Sequence, residues 1–239
     1  MKPLCCHLRI PETTRALLWD MDGVLLDSLG LDLQLSVALF SRTLQKPVTL
    51  SADFIRGIFA YDPARFVEKI FDQLEAEHGK FASRTRVSPG LLEEYLHLRR
   101  TSLIPLLPGV TEALGAAQKL GLRQAVVSNN PQFEVEAILK TAGLEKSFAA
   151  LIGNDLTIHG KALRKKPAPD FYLHGCERLG ASPQQAVVFE DSTLGASAGL
   201  AAGCHVIALL TGSAGIAELR ALSPAPHQVF SNLLSEAAQ

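Results

Sequence analysis

The chain has 239 residues, 47% hydrophobic and 20% charged, which excludes disordered and collagen-like chains and suits one main domain carrying a modest insertion. A formal net charge of -1 provides no long-range field, so neither nucleic acid nor a membrane surface is an expected partner, and any affinity for phosphate has to be local. No leader-like apolar run opens the chain, the longest apolar stretch (residues 206–216) is too short to span a bilayer, and Cys5, Cys6, Cys176 and Cys204 lack metal-ligand spacing. The expectation is a cytoplasmic protein with free thiols.

Taken in chain order, short apolar runs at 16–19, 125–127, 151–152, 186–189 and 206–210 end in polar residues and alternate with helix-like segments. Gly121, Gly143, Gly180 and Gly203 each follow a periodic segment and serve as helix stops. This βαβ rhythm predicts an α/β fold, a doubly wound parallel sheet covered on both faces. The rhythm breaks between about Leu31 and Leu103, where Leu33, Val37 and Phe40, then Phe66, Ile70 and Leu74, then Leu91, Tyr95 and Leu98 recur at helical spacing. An inserted helical domain (31–103) therefore divides the core (1–30 and 104–239), with exits at the Leu29-Gly30 and 105–109 stretches. Gly195, Gly199 and Gly203 recur every four residues and imply close packing of a helix on the sheet.

Chemistry concentrates where strands end. The run Leu17-Leu18-Trp19-Asp20-Met21-Asp22-Gly23 takes a buried strand into two carboxylates that period-two geometry puts on one side, at the edge where parallel sheets bind ligands. Their repulsion would be relieved by a divalent cation, and few carboxylates with oxygen-only ligation suit magnesium. Ser128-Asn129-Asn130 follows the second core strand and offers a hydroxyl and turn amides to a phosphate. Lys165 and Lys166 stand before a stiff Pro-Ala-Pro segment that could aim one ammonium inward, with Asp170 as a helix N-cap. Glu190-Asp191-Ser192 ends a further strand and adds a second source of metal ligands.

These four motifs, Asp20-Met21-Asp22-Gly23-Val24, Ser128-Asn129, Lys166 and Glu190-Asp191, resemble those of the haloacid dehalogenase-like hydrolases, and they span almost the whole core. The insertion is similar to that family's C1 type of cap. The resemblance implies that Asp20 attacks phosphorus, that Asp22 protonates the leaving oxygen and later activates water, and that Ser128, Asn129 and Lys166 bind the phosphoryl group. It implies magnesium between Asp20, the Asp22 backbone carbonyl and Asp191, with Glu190 as an outer partner of the metal or an orienting group for Lys166. The implied substrate is a small phosphorylated metabolite, a sugar or sugar-acid phosphate.

Within the family, Asp22 argues against carbon–halogen cleavage, since dehalogenases lack the second aspartate. The related β-phosphoglucomutases carry a histidine shortly after the first motif, and Asp32 stands there instead, which favours a phosphatase over a mutase. None of Lys46, Lys69 and Lys80 has the motif context of a Schiff-base lysine. A phosphoacceptor module that only holds a phosphoryl group is disfavoured by the insertion and by the acid two residues beyond Asp20, and no GxGxxG follows the first strand. Inside the insertion, Arg56-Gly57 and Tyr61-Asp62-Pro63 read as a polar, turn-rich patch, with Arg56 as the candidate specificity residue.

Overall fold

The computed structural model describes residues 1–5, 7–81, 84–158 and 160–237, with the backbone alone for 84–88. Cys6 lies outside the described residues. The chain opens with an antiparallel hairpin, β1 (Lys2–Cys5) and β2 (Leu8–Ile10), then enters β3 (Ala16–Trp19). Four helices follow, α1 (Leu29–Leu44), α2 (Ala52–Ile58), α3 (Pro63–His78) and α4 (Arg84–Thr101). The chain returns through α5 (Val110–Lys119), β4 (Arg123–Val127), α6 (Gln132–Thr141) and β5 (Ala150–Ile152). A small hairpin, β6 (Thr157–Ile158) and β7 (Lys161–Ala162), precedes α7 (Asp170–Arg178), β8 (Ala186–Glu190), α8 (Thr193–Ala201), β9 (His205–Leu209), α9 (Ile216–Arg220) and β10 (Gln228–Phe230).

Among the described residues the central sheet has six parallel strands in the order β10-β9-β8-β3-β4-β5. β3 is the switch point: the chain winds outward through β4 and β5 on one side, then through β8, β9 and β10 on the other. Strand periodicity explains why β3 is apolar at every position. Leu17 and Trp19 join the core under α5 and α6, while Ala16 and Leu18 join the core under α7 and α8. Trp19 stacks on Phe189 at 4.0 Å. The N-terminal hairpin contributes Leu4, Leu8 and Ile10 to the first of these cores. The four glycine stops all have positive φ, and Gly199 has no room for a Cβ, which would meet Val206 at 2.9 Å.

Helices α1–α4 bury a separate cluster that includes Phe40, Phe66, Ile70, Phe71, Leu74 and Tyr95. Ser51 caps α2 by accepting from the Phe54 N–H, and Asp62 caps α3 ahead of Pro63. The two segments joining this unit to the sheet run side by side: the Asp27 N–H donates to the Pro105 carbonyl (2.9 Å) and the Leu107 N–H to the Leu25 carbonyl (3.0 Å). Three local expectations are corrected. Leu29-Gly30 is the first turn of α1 rather than a linker, since the antiparallel pairing already ends the connection at residue 27. Arg56-Gly57 lies inside α2, because the Ser51 cap starts the helix early enough to absorb the glycine. Asp170 is the first residue of α7 rather than its cap, its carboxylate being engaged by Arg164.

Candidate active site

The carboxyl ends of β3, β4 and β8 bring the strand-end motifs together. Lys166 Nζ donates to Asp20 Oδ1 (2.5 Å), Glu190 Oε1 (2.7 Å) and the Val127 carbonyl (2.9 Å), while Lys165 turns outward to Asp62 (3.2 Å). Glu190 is saturated. Its Oε1 also accepts from the Tyr172 hydroxyl (2.6 Å), and its Oε2 accepts from the Asp191 N–H (3.1 Å) and the Ser192 hydroxyl (3.0 Å). Asp20 and Asp191 are less committed, Asp191 Oδ2 accepting from the Ser213 N–H (2.9 Å). Two glycines make this possible, since a Cβ on Gly195 would lie 1.8 Å from Glu190 Oε1 and one on Gly212 would lie 1.6 Å from Asp191 Oδ2.

Asp20, Glu190 and Asp191 offer oxygens within 4.8 Å of one another, all buried. Burial first, and then the neighbouring carboxylates against the pull of Lys166, raise Asp20 well above the usual carboxylate range; burial and Glu190 push Asp191 up to about 8. Burial alone would lower Lys166, but the carboxylates of Asp20 and Glu190 outweigh it and raise its pKa. Three buried carboxylates with one ammonium beside them make a donor set that fits a hard divalent cation, whose charge would let them ionise together.

The Asp22 carboxylate belongs to a second cluster. Arg99, near the end of α4 and 2% exposed, donates through Nη2 to Asp22 Oδ1 (2.5 Å). Ser28 donates to the same oxygen (2.6 Å) and Asn130 Nδ2 to Asp22 Oδ2 (2.5 Å). Arg99 Nε lies 2.9 Å from Asp32 Oδ1 without the alignment of a regular hydrogen bond, a charge contact between buried groups. Burial outweighs Arg99 at Asp32, whose pKa rises to about 6.

Both clusters face one cavity, walled on the core side by Asp20, Asp22, Ser128, Asn129, Asn130 and Lys166 and on the helical side by Phe59, Tyr61, Phe66, Tyr95 and Arg99. Ser128 is buried, its Oγ accepting from the Asn130 N–H (3.1 Å), and Asn129 Nδ2 donates across to the Ala60 carbonyl (3.0 Å). Arg56 is placed elsewhere: it does not line the cavity, and its Nη1 donates to the Gly212 carbonyl (3.3 Å) at the seam between helices and core. Sequence reasoning passed over Arg99, Ser28, Tyr172 and the bond from Asn130 to Asp22. A signal for Arg99 existed: it lies four residues after Tyr95, on the buried face of the helix, where an unpaired arginine would be costly.

A model of the haloacid dehalogenase-like hydrolases matches residues 14–203. The chain belongs to this family. Hexitol phosphatase A of Escherichia coli is 37% identical over 116 residues, a match spanning 48% of this chain and 51% of that one. The β-phosphoglucomutase of Mycobacterium bovis is 30% identical over 221 residues, covering 84% and 82%. In three dimensions a HAD family hydrolase from Deinococcus radiodurans, solved with bound phosphate and sodium, superposes with a TM-score of 0.70 at 25% identity over 92% of this chain and 91% of that one. The Rossmann-like core with a parallel sheet is the family's fold, and the enzyme class is that of a HAD-type phosphatase. Among the described residues no helix is long and apolar enough to cross a membrane.

Proposed function

We propose that the protein is a magnesium-dependent phosphatase that hydrolyses a small phosphorylated metabolite, a sugar or sugar-acid phosphate, through an aspartyl phosphate on Asp20. The observation that carries this reading is the buried Asp20 carboxylate, held 2.5 Å from Lys166 beside Asp191 and Glu190 at the end of the central strand. Asp20, Asp191 and the Asp22 backbone carbonyl would hold magnesium, which supplies the positive charge that lets an anionic nucleophile meet an anionic phosphate. Lys166, Ser128 and Asn129 take the phosphoryl oxygens, and Glu190 fixes Lys166 in direction. Asp20 attacks phosphorus as the ester bond breaks, and the leaving oxygen takes a proton from Asp22. Asp22 then removes a proton from water, whose oxygen attacks phosphorus and frees Asp20. The helices α1–α4 act as a cap that excludes water during these steps. Arg56 enters this reading as a latch on the Gly212 carbonyl rather than as a group on the substrate.

A mutase is the competing activity among relatives. Where mutases carry a histidine, Asp32 is buried against the Arg99 guanidinium, 2.9 Å away, which ties it up as a shuttle for a substrate proton. Hydrolysis is therefore the better account. The test is turnover of para-nitrophenyl phosphate with magnesium and with EDTA, alongside Asp20→Asn and Asp22→Asn in a rapid quench read by intact mass. Asp20→Asn should abolish the adduct, and Asp22→Asn should lose on the order of 10²–10⁴-fold in turnover while retaining a trapped phosphoryl group. Full activity of metal-free protein, or an adduct missing in Asp22→Asn with turnover retained in Asp20→Asn, would overturn the assignment.

A further inference from the structure

Three donors from three elements converge on a single carboxylate. Arg99 and Ser28 hold Asp22 Oδ1, and Asn130 holds Asp22 Oδ2, each at 2.5–2.6 Å. Arg99 comes from α4, Ser28 precedes α1 and Asn130 follows β4, and all three are buried. A set that grips both oxygens of a carboxylate is an oxyanion site, and in this structure Asp22 itself fills it.

On the phosphatase reading, Asp22 must also turn to the ester oxygen, and one carboxylate cannot meet both demands. When it turns, the Arg99 Nη2 and the Ser28 hydroxyl lose their acceptor, and the Asn130 amide keeps only the Ser128 hydroxyl (3.1 Å). Asp32 keeps Arg99 in place through Nε. A buried guanidinium nitrogen left without an acceptor costs more than an ordinary hydrogen bond returns. The group able to compensate at that moment is the substrate, because Arg99 and Asn130 line the cavity it must occupy. Arg99 and Lys166 are the cations among the lining residues, and Lys166 is already engaged by Asp20 and Glu190.

We infer that Arg99, with Asn130, is a specificity site for a second oxyanion on the leaving group, and that the preferred substrate is a phosphate monoester whose alcohol carries a carboxylate or further phosphate close to the ester carbon. Proximity follows from the sweep of one aspartate side chain: the vacated site and the ester oxygen are both within reach of Asp22. The inference rests on the phosphatase reading and on the role given to Asp22.

The experiment compares kcat/KM for 2-phospholactate and isopropyl phosphate, which differ by a carboxylate in place of a methyl group, with ethanediol bisphosphate as the phosphate arm. Wild-type enzyme should prefer the anionic esters by on the order of 10–100-fold. Arg99→Gln should erase most of that preference and Arg99→Lys part of it. No wild-type preference, or an equal loss on all esters in Arg99→Gln, would mean that Arg99 only tethers Asp22 and would overturn the inference. If wild-type enzyme also fails to hydrolyse para-nitrophenyl phosphate, the phosphatase reading falls instead. Should Arg99→Gln fail to fold by circular dichroism, inhibition of the wild type decides: lactate should compete with para-nitrophenyl phosphate far better than propan-2-ol, and equal inhibition would sink the proposal.

Discussion

The two ends of the cavity bury charge in different ways. On the core side, three carboxylates (Asp20, Glu190, Asp191) cluster beside the ammonium of Lys166, which pairs with the first two; toward the helical side, Asp32 and the core's Asp22 share the guanidinium of Arg99. The core side holds the larger excess of negative charge and raises the pKa of Asp20 and Asp191, the state expected of a site that gains from a cation. The helical side is closer to balance but depends on Asp22 staying put. On the proposed reading, one cluster would gain from a cation and the other from an anion once Asp22 turns away.

The sharpest way to break the comparison is to disturb the core side alone. Gly212→Ala places a Cβ where Asp191 Oδ2 now lies, 1.6 Å away, so the carboxylate must move. Magnesium affinity and activity should fall on the order of 10–100-fold, and an effect below twofold in a magnesium titration would remove Asp191 from the metal site. Tyr172→Phe deletes the 2.6 Å hydrogen bond to Glu190. Urea unfolding in EDTA should show a loss of about 1.5–3 kcal/mol, whereas unchanged stability would mean that the remaining donors satisfy Glu190 alone.

Proton linkage separates the clusters further. Without metal, Asp20 and Asp191 have raised folded-state pKa values, Asp191 about 8. Their protonation contributes stability at low pH that is lost as pH rises toward 8, and a cation needs them ionised. The gap in Tm between magnesium-loaded and EDTA-treated protein should accordingly widen from pH 6 to pH 8, with proton uptake by buffer visible calorimetrically. A constant gap would sink the idea. On the helical side, Asp32 is raised to about 6, so its contribution is present below about pH 4 and lost as pH rises to about 6. Asp32→Asn should flatten wild-type stability over that window by up to about 1.4 kcal/mol per pH unit. Parallel wild-type and variant curves would show that Arg99 already holds Asp32 ionised.

Legibility in the sequence followed the range of the interaction. The strands around the switch point were readable because each is buried on both faces and ends abruptly in polar residues, as at Trp19-Asp20 and Phe189-Glu190. That pattern places Asp20, Ser128 and Asp191 at one edge of one sheet. The N-terminal hairpin was not readable, since Leu4, Leu8 and Ile10 are apolar only with respect to a core assembled far along the chain. Arg56 was misplaced in a turn because a single glycine outweighed the Ser51 cap that begins α2.

By itself the sequence determined the parallel sheet and the carboxylates and hydroxyl at its edge, because strand periodicity and chain order put those side chains together; that Lys166 rather than Lys165 turns inward was legible only through the family resemblance. Only the tertiary structure decided which groups face Asp22. Arg99 is separated from Asp22 by α1–α3 and most of α4, and its basic pair with Arg100 reads as a solvated helix end. Its spacing from Tyr95 marks it as buried, but its partners are fixed only when α4 docks on α6 and Arg100 pairs with Glu134, a long-range event.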